Sequence, residues 1–190
     1  MAKPHPAEPT KLFVAVLWSD EDALNRAIAQ LCEHYGEIDF TGADHPFNMT
    51  DYYEPEMGKD LKRRFVTFRR LLLPENLRQA KHVCNSIEDR LAGKKGRRVN
   101  LDIGYLDHNK IVLASFKNAG QKIYMGDGVW ADLVARYRSG RYCSFEWTFP
   151  DFRDGRYDQE LAVIRQTYLE QLRAIRHALR MTSDRLPISY

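Results

Sequence analysis

Apolar and polar positions change period several times along the chain, and each change marks an element. Residues 11–18, "KLFVAVLW", are a continuous apolar run rich in β formers, which predicts a central strand buried on both faces. "SDED" follows, with Ser19 as the N-cap and acids in the first helical turn. Leu24, Ala27, Ile28, Leu31, Cys32 and Tyr35 then recur at helical spacing, and Gly36 stops the helix. Residues 37–40, "EIDF", read as a second strand, and residues 42–46 as a turn. Residues 61–73, "LKRRFVTFRRLLL", carry both periods. Leu61, Phe65, Phe68 and Leu72 fit a helical stripe, whereas Phe-Val-Thr-Phe favours a strand. The strand is preferred, because Pro74 opens a clear helix whose face is Leu77, Ala80, Cys84, Ile87 and Leu91. After "GKKGRR", the apolar Val99, Leu101 and Ile103 alternate with Asn100 and Asp102, the period of a strand.

This order of strand, helix, strand, strand, helix, strand predicts an α+β fold with a ferredoxin-like βαββαβ core. Hairpins come next. "KIYM-GDG-VWADLVARY" reads as strand, turn and strand, and "RSGR" turns into "YCSFEWTF". In the first hairpin Val129, Ala131, Leu133 and Ala135 are expected on the core side. Asp132, Arg136, Ser144 and Glu146 are expected to share a polar face through cross-strand pairing. Leu161, Ile164, Tyr168, Leu172, Ile175 and Leu179 define a long C-terminal amphipathic helix. The expected organisation is a flexible segment at 1–10, one α+β domain at 11–180 and a tail at 181–190.

Composition narrows the class. With 190 residues, 44% apolar and 29% charged, the chain can bury a core and is not disordered. A net charge of +3 is too small to signal nucleic-acid binding, so any electropositive site must be local. Cys32, Cys84 and Cys143 are far apart within apolar patterns, which suits reduced thiols in a cytoplasmic protein. The start lacks a secretory apolar region, and no run is long enough to span a bilayer, so no membrane partner is expected.

Several chemistries are missing from the sequence. Gly58-Lys59 lacks both the upstream glycine and the hydroxyl residue of a P-loop, since Asp60 stands in the latter's place. No dinucleotide-binding glycine pattern, zinc spacing or haem signature is present. What stands out is residues 49–65, "MTDYYEPEMGKDLKRRF". Asp51, Glu56 and, further on, Asp102 are the candidate acids, either for acid-base work or for magnesium. Lys59, Arg63 and Arg64 are candidates for an anion, and on a strand Arg63 and Arg69 would face one way, a pair able to clamp a phosphate. Tyr52, Tyr53 and Tyr105 offer rings, Asn100 shares a strand face with Asp102, and Gly104 suits a close backbone approach to a ligand. The plainer alternatives are a solvated loop, a charged edge strand, and a strand followed by a helix cap at Asp107.

Taken together, "KLFVAVLWSD", "TDYYEPEMGKDLKRRF", "GRRVNLDIGYL", "KIYMGDGVWADLV" and "EWTFPDF" resemble a bacterial family designated a domain of unknown function, DUF4416. The likeness runs from Lys11 to Leu172, with Ile103 standing where that family's pattern has proline. It implies a bacterial cytosolic protein and brings no activity, cofactor or catalytic residue.

From the residues, the expected function is binding of a phosphorylated or otherwise anionic small ligand such as a nucleotide, without a P-loop. That reading requires the turn after Met49 to meet the strand after Arg97. Two rivals are an RNA-binding module, which lacks its usual aromatic motif here, and a non-catalytic assembly protein using the aromatic hairpins.

Overall fold

In a computed structural model, residues 3–183 are described. The apolar run becomes β1 (Lys11–Trp18), buried along its whole length, at the centre of a nine-stranded antiparallel sheet. Its neighbours are β4 (Lys62–Phe68) on one side and β5 (Val99–Leu106) on the other. Next to β4 lie β2 (Ile38–Thr41) and the two-residue β3 (His45–Pro46). Next to β5 come β6 (Lys110–Ser115), then β8 (Val129–Arg138), whose outer edge holds β7 (Ile123–Gly126) and β9 (Arg141–Ser144).

Helices α1 (Glu21–Tyr35) and α3 (Leu77–Leu91) cover one face. Leu24, Leu31, Cys84 and Ile87 pack there on Val14, Val16, Leu101 and Ile103. The long α5 (Asp158–Ser183) covers the other. Its Leu161, Ile164, Tyr168 and Leu172 meet Phe13, Ala15 and Phe65. Each such buried Leu, Ile, Val or Phe side chain contributes about 1.5–3 kcal/mol. β1 is apolar on both sides because both faces are covered. A third, small cluster of Leu17, Phe47, Tyr53, Met57 and Leu61 lies under the turn that leads into β4. That turn contains the one-turn helix α2 (Glu54–Met57).

Residues 62–68 are a strand, as preferred from the sequence, but Arg69 and Arg70 fall beyond it, so Arg63 and Arg69 do not form a clamp. Arg69 instead pairs with Glu37. The α1 N-cap is Asp20, whose carboxylate accepts from the Ala23 N–H, rather than Ser19. Asp107 caps no helix. It accepts from the Asn109 and Lys110 amides in the tight turn from β5 into β6, a strand the periodicity did not separate. Within β8 the alternation breaks: Ala131 and Leu133 pack toward α3's layer, whereas Val134 and Ala135 both pack toward α5's. A register irregularity between Ile111 and Val112, opposite Ala135 and Leu133, explains the switch, since an extra residue re-aims the side chains beyond it. "YCSFEWTF" stays a strand only to Ser144, after which the chain turns into α4 (Pro150–Arg153).

Residues 8–10 are tied down: Glu8 pairs with Arg176, the Pro9 carbonyl accepts from Tyr168 and Thr10 bridges to Leu72. Of the expected tail, residues 184–190 lie outside the described residues, as does the Leu179 side chain. No described helix is long and apolar enough to cross a membrane.

The two sides of β5 differ. Toward β1 it pairs throughout, from Val99 to Leu106. Toward β6 it pairs only from Gly104 to Leu106. β6 meanwhile continues to Ser115 on its other partner, β8. The sheet therefore opens into a seam beyond Gly104. Glycine is required at this branch point, because a Cβ there would lie 2.4 Å from the Val112 carbonyl oxygen and 2.8 Å from a Leu113 methyl. The close approach anticipated at Gly104 is thus to β6.

Candidate functional site

An opened sheet exposes backbone donors and acceptors that must be satisfied. At Leu101 they are served by α3. The Leu101 N–H donates to the Glu88 carboxylate, and the Lys81 ammonium lies 3.4 Å from the Leu101 carbonyl. Both side chains are buried on the stripe that otherwise carries Leu77, Cys84 and Leu91. Burial pushes the Glu88 carboxyl above its ordinary value, with Lys81 and the Leu101 amide opposing.

The seam encloses a cleft of about 310 Å³. Asn100 and Asp102 of β5 form one wall, Ser115, Phe116 and Lys117 at the end of β6 the other, and Lys81, Asn85, Glu88 and Asp89 of α3 line it as well. Lys122 and Asp132 line it from the hairpin, and Tyr53 and Phe149 complete the lining. Most of its charges are matched. Arg97 holds Glu56 through contacts of 2.8 and 3.0 Å and donates to Asn100 Oδ1 at 2.8 Å. Lys122 pairs with Asp132 at 3.3 Å, and Asp102 with Arg63 at 3.0 Å. Others are not matched. Lys81 and Lys117 make no ion pair among the described residues; Lys117 donates to the Tyr52 hydroxyl at 3.1 Å and lies over its ring. Asn100 Nδ2 and Asp132 Oδ1 are buried and find no protein partner. Unpartnered buried polar atoms are rare, because each forfeits its hydration without replacement.

The turn at 49–60 and the strand after Arg97 do meet. Tyr53 and Glu56 come from the turn, and Arg97, Asn100 and Asp102 from the strand. Gly96, with φ of 118°, lets the turn before β5 press on Glu56, and the Arg97 amide also donates to that carboxylate. The Arg97 hydrogen bonds hold the Glu56 carboxyl down at about 2, so it stays ionised and is a poor proton carrier near neutrality. Burial pushes the Tyr53 phenol up to about 12.

The other candidates sit apart from the cleft or serve the fold. Asp51 is exposed at the start of the turn and does not line the cleft. Lys59 is exposed beside a different recess, with Asn48 and Glu54. Arg64 is held by Asp44 at 2.7 and 2.8 Å and lies against Trp18. Tyr105 faces the helical layer, half-buried under Lys110. Arg63 is fully buried: it pairs with Asp102 and, at 3.0 Å, with Asp151, and it sits over the Phe47 and Phe152 rings. Burial pulls its guanidinium down, but the two carboxylates outweigh that. Arg63 and Arg64 therefore serve the fold's own carboxylates. Asp51, Glu56 and Asp102 do not converge as a ligand set for magnesium. Among the described residues, no three His, Cys, Asp or Glu side chains are placed to hold a metal ion.

The sequence reading missed Lys81, Glu88, Phe116, Lys117, Lys122 and Phe149 as parts of one site. Lys81 and Glu88 carried a signal, since two charges interrupt an apolar stripe at a spacing of seven. Lys117 and Lys122 lie in a loop with no such mark.

A family model described as a domain of unknown function (DUF4416) matches residues 8–168. Comparison with curated proteins and with solved structures returned no match.

Proposed function

The chain belongs to the family described as a domain of unknown function (DUF4416), and from the geometry of its seam we propose that it binds a phosphorylated small molecule bearing hydroxyl or amino groups. One observation carries this reading: Asn100 Nδ2 and Asp132 Oδ1 are both buried in the wall of a single cleft without protein partners. The first needs an acceptor such as a phosphate oxygen, and the second needs an O–H or N–H donor. Lys81 and Lys117, which make no ion pair among the described residues, supply the positive charge around them, while Lys122 is paired with Asp132. Asp102, fixed by Arg63, and Asn100, fixed by Arg97, are held in place before any ligand arrives, which lowers the ordering cost of binding.

Of the residues singled out in the sequence, Tyr53, Asn100 and Asp102 remain in this site. Lysines from α3 and from the loop after β6 take the place of Lys59, Arg63 and Arg64. We further infer that β1, α1, β2, β4, α3 and β5 are a ferredoxin-like core. The strand order β2-β4-β1-β5 with both helices on one face supports this. Three unpaired cysteines suit a reducing, cytoplasmic setting.

The test is thermal denaturation with sugar phosphates, mononucleotides and inorganic phosphate, each with and without magnesium. A ligand at about 100 times its Kd adds about 2.7 kcal/mol. Asn100→Asp keeps the oxygen that Arg97 needs and turns the free donor into an acceptor. It should abolish the shift while leaving the protein folded. No shift with any phosphorylated probe, or an equal shift in the variant, refutes the reading. Tighter binding of single-stranded RNA than of mononucleotides, weakening steeply with salt, would favour the nucleic-acid alternative.

A further inference from the structure

The polar cleft has an apolar neighbour. A recess of about 290 Å³ is lined by Phe47, Met49, Thr50, Tyr52 and Pro150, together with Tyr53, Lys117 and Phe149, which also line the cleft. The two spaces adjoin along those three shared residues. Their linings differ in kind: the cleft is walled by charged and amide side chains, the recess mostly by rings and a thioether. The rings are fixed against one another. Tyr52 and Tyr53 meet edge to face with centroids 5.0 Å apart, and Tyr53 meets Phe47 at 6.0 Å. Tyr53 and Met57 are buried in the small cluster beneath, so this floor is part of the fold. Lys117 stands at the junction, its ammonium 4.3 Å from the Tyr52 ring centroid and without a carboxylate partner among the described residues.

We propose that the recess is the second half of the same site and takes a planar heteroaromatic ring, joined by a short tether to the anionic group held in the cleft. This rests on the cleft reading and narrows it: the ligand class is a ring-bearing phosphate such as a mononucleotide, not a simple sugar phosphate. Rings accept a flat partner edge-on or stacked, and Lys117 at the junction serves both halves, its charge facing the anion and its stem the ring. Because Tyr53, Lys117 and Phe149 belong to both spaces, the ring and the anion are close neighbours in the ligand.

The experiment is calorimetric titration of the full chain with inorganic phosphate, ribose 5-phosphate, a ribonucleoside and the corresponding mononucleotide. The mononucleotide should bind roughly tenfold or more tighter than ribose 5-phosphate, the gain of one stacked base. Two variants probe the recess side. Tyr52→Ala removes a wall but also frees Lys117, so it is read only for loss of the preference; Met49→Trp fills the space from a residue that does not line the cleft. Met49→Trp should erase the preference while leaving ribose 5-phosphate affinity within about twofold. Circular dichroism checks folding, and should Tyr52→Ala unfold, Met49→Trp decides. Equal affinity for ribose 5-phosphate and mononucleotide, or a preference that survives Met49→Trp, overturns the ring subsite and leaves the cleft reading standing. Binding of neither phosphorylated probe overturns both.

Discussion

Arg63 and Lys81 are both cations buried in this fold, yet among the described residues one is ion-paired twice and the other makes no ion pair. Arg63 lies in the closed half of the sheet, where β4, β1 and β5 pair along their lengths, and carboxylates from two other elements meet it. Lys11 in the same half is equally enclosed, by Asp39, Gln171 and the Phe68 carbonyl, and burial lowers its ammonium's pKa despite them. Lys81 lies at the open half, where β5 and β6 part. It makes no ion pair among the described residues; its ammonium lies 3.4 Å from the Leu101 carbonyl and 5.4 Å from the Phe116 ring centroid, with Glu88 acting on it only at longer range. Burial of charge alone therefore does not mark a site in this protein. Charge and amide groups left unmatched around a shared space do.

Substitutions can break this contrast at graded cost. Arg63→Met should be the most damaging, because it leaves the buried Asp151 carboxylate without its cation, with only the Tyr157 hydroxyl among the described residues donating to it, and Asp102 unpaired. A loss of about 3–5 kcal/mol is expected from urea unfolding. A loss below about 1 kcal/mol would mean the closed network does not hold the fold. Gly104→Ala comes next. Its Cβ meets backbone, the Val112 carbonyl at 2.4 Å, which a side-chain rotation cannot relieve. The expected cost is about 1–3 kcal/mol, with loss of ligand binding because the branch point shifts.

Two glutamates sharpen the comparison through pH. Glu56 is held below its ordinary 4.5, at about 2. Its contribution is present above about pH 4.5 and is lost as pH falls from there through about 2. With a side chain 35% exposed, screening limits it to about 1 kcal/mol or less. Glu88 is shifted the other way by burial, so its ionised form costs stability and acidification relieves that cost. Stability measured against pH in Glu56→Gln and Glu88→Gln should deviate from wild type in opposite directions on the acid side. Glu88→Gln, whose amide oxygen still accepts from Leu101, should be neutral or stabilising at pH 7. Deviations of the same sign would contradict the assignment. The smallest stability effect belongs to exposed Lys117. Lys117→Ala should change unfolding by no more than about 0.5 kcal/mol, yet weaken phosphorylated ligands several-fold.

Much of this was legible in the sequence. The β1 run, the two α-helical stripes and the strand at 62–68 come from period and from Gly36, because each element's local pattern agrees with its packing; Pro74 opens not α3 itself but a short 3-10 turn, Pro74–Asn76, that leads into it at Leu77. The meeting of Tyr53 and Glu56 with Arg97 and Asn100 was posed by the sequence as a question, since residues some forty positions apart share no local signal. β6 was missed because the polar run Asp107 to Lys110 between Leu106 and Ile111 reads equally as the start of a helix, and Asp107 as its cap, rather than as a tight hairpin turn. The irregularity in β8 was hidden because an extra residue alters face without altering composition. Arg63 and Arg64 looked like anion binders because a sequence shows a cation without its partners. The lysines of the cleft were invisible for the converse reason: nothing near Lys117 or Lys122 reveals that β5 and β6 part beside them.

The central claim, that the opened seam is a ligand site, is tested most directly by amide chemical shifts of nitrogen-labelled protein titrated with a mononucleotide. The predicted result is saturable change confined to residues 97–102, 114–117 and the Asp132 amide, with β2 and the outer turns of α1 unmoved. Shifts centred elsewhere, or none at millimolar ligand, would contradict it.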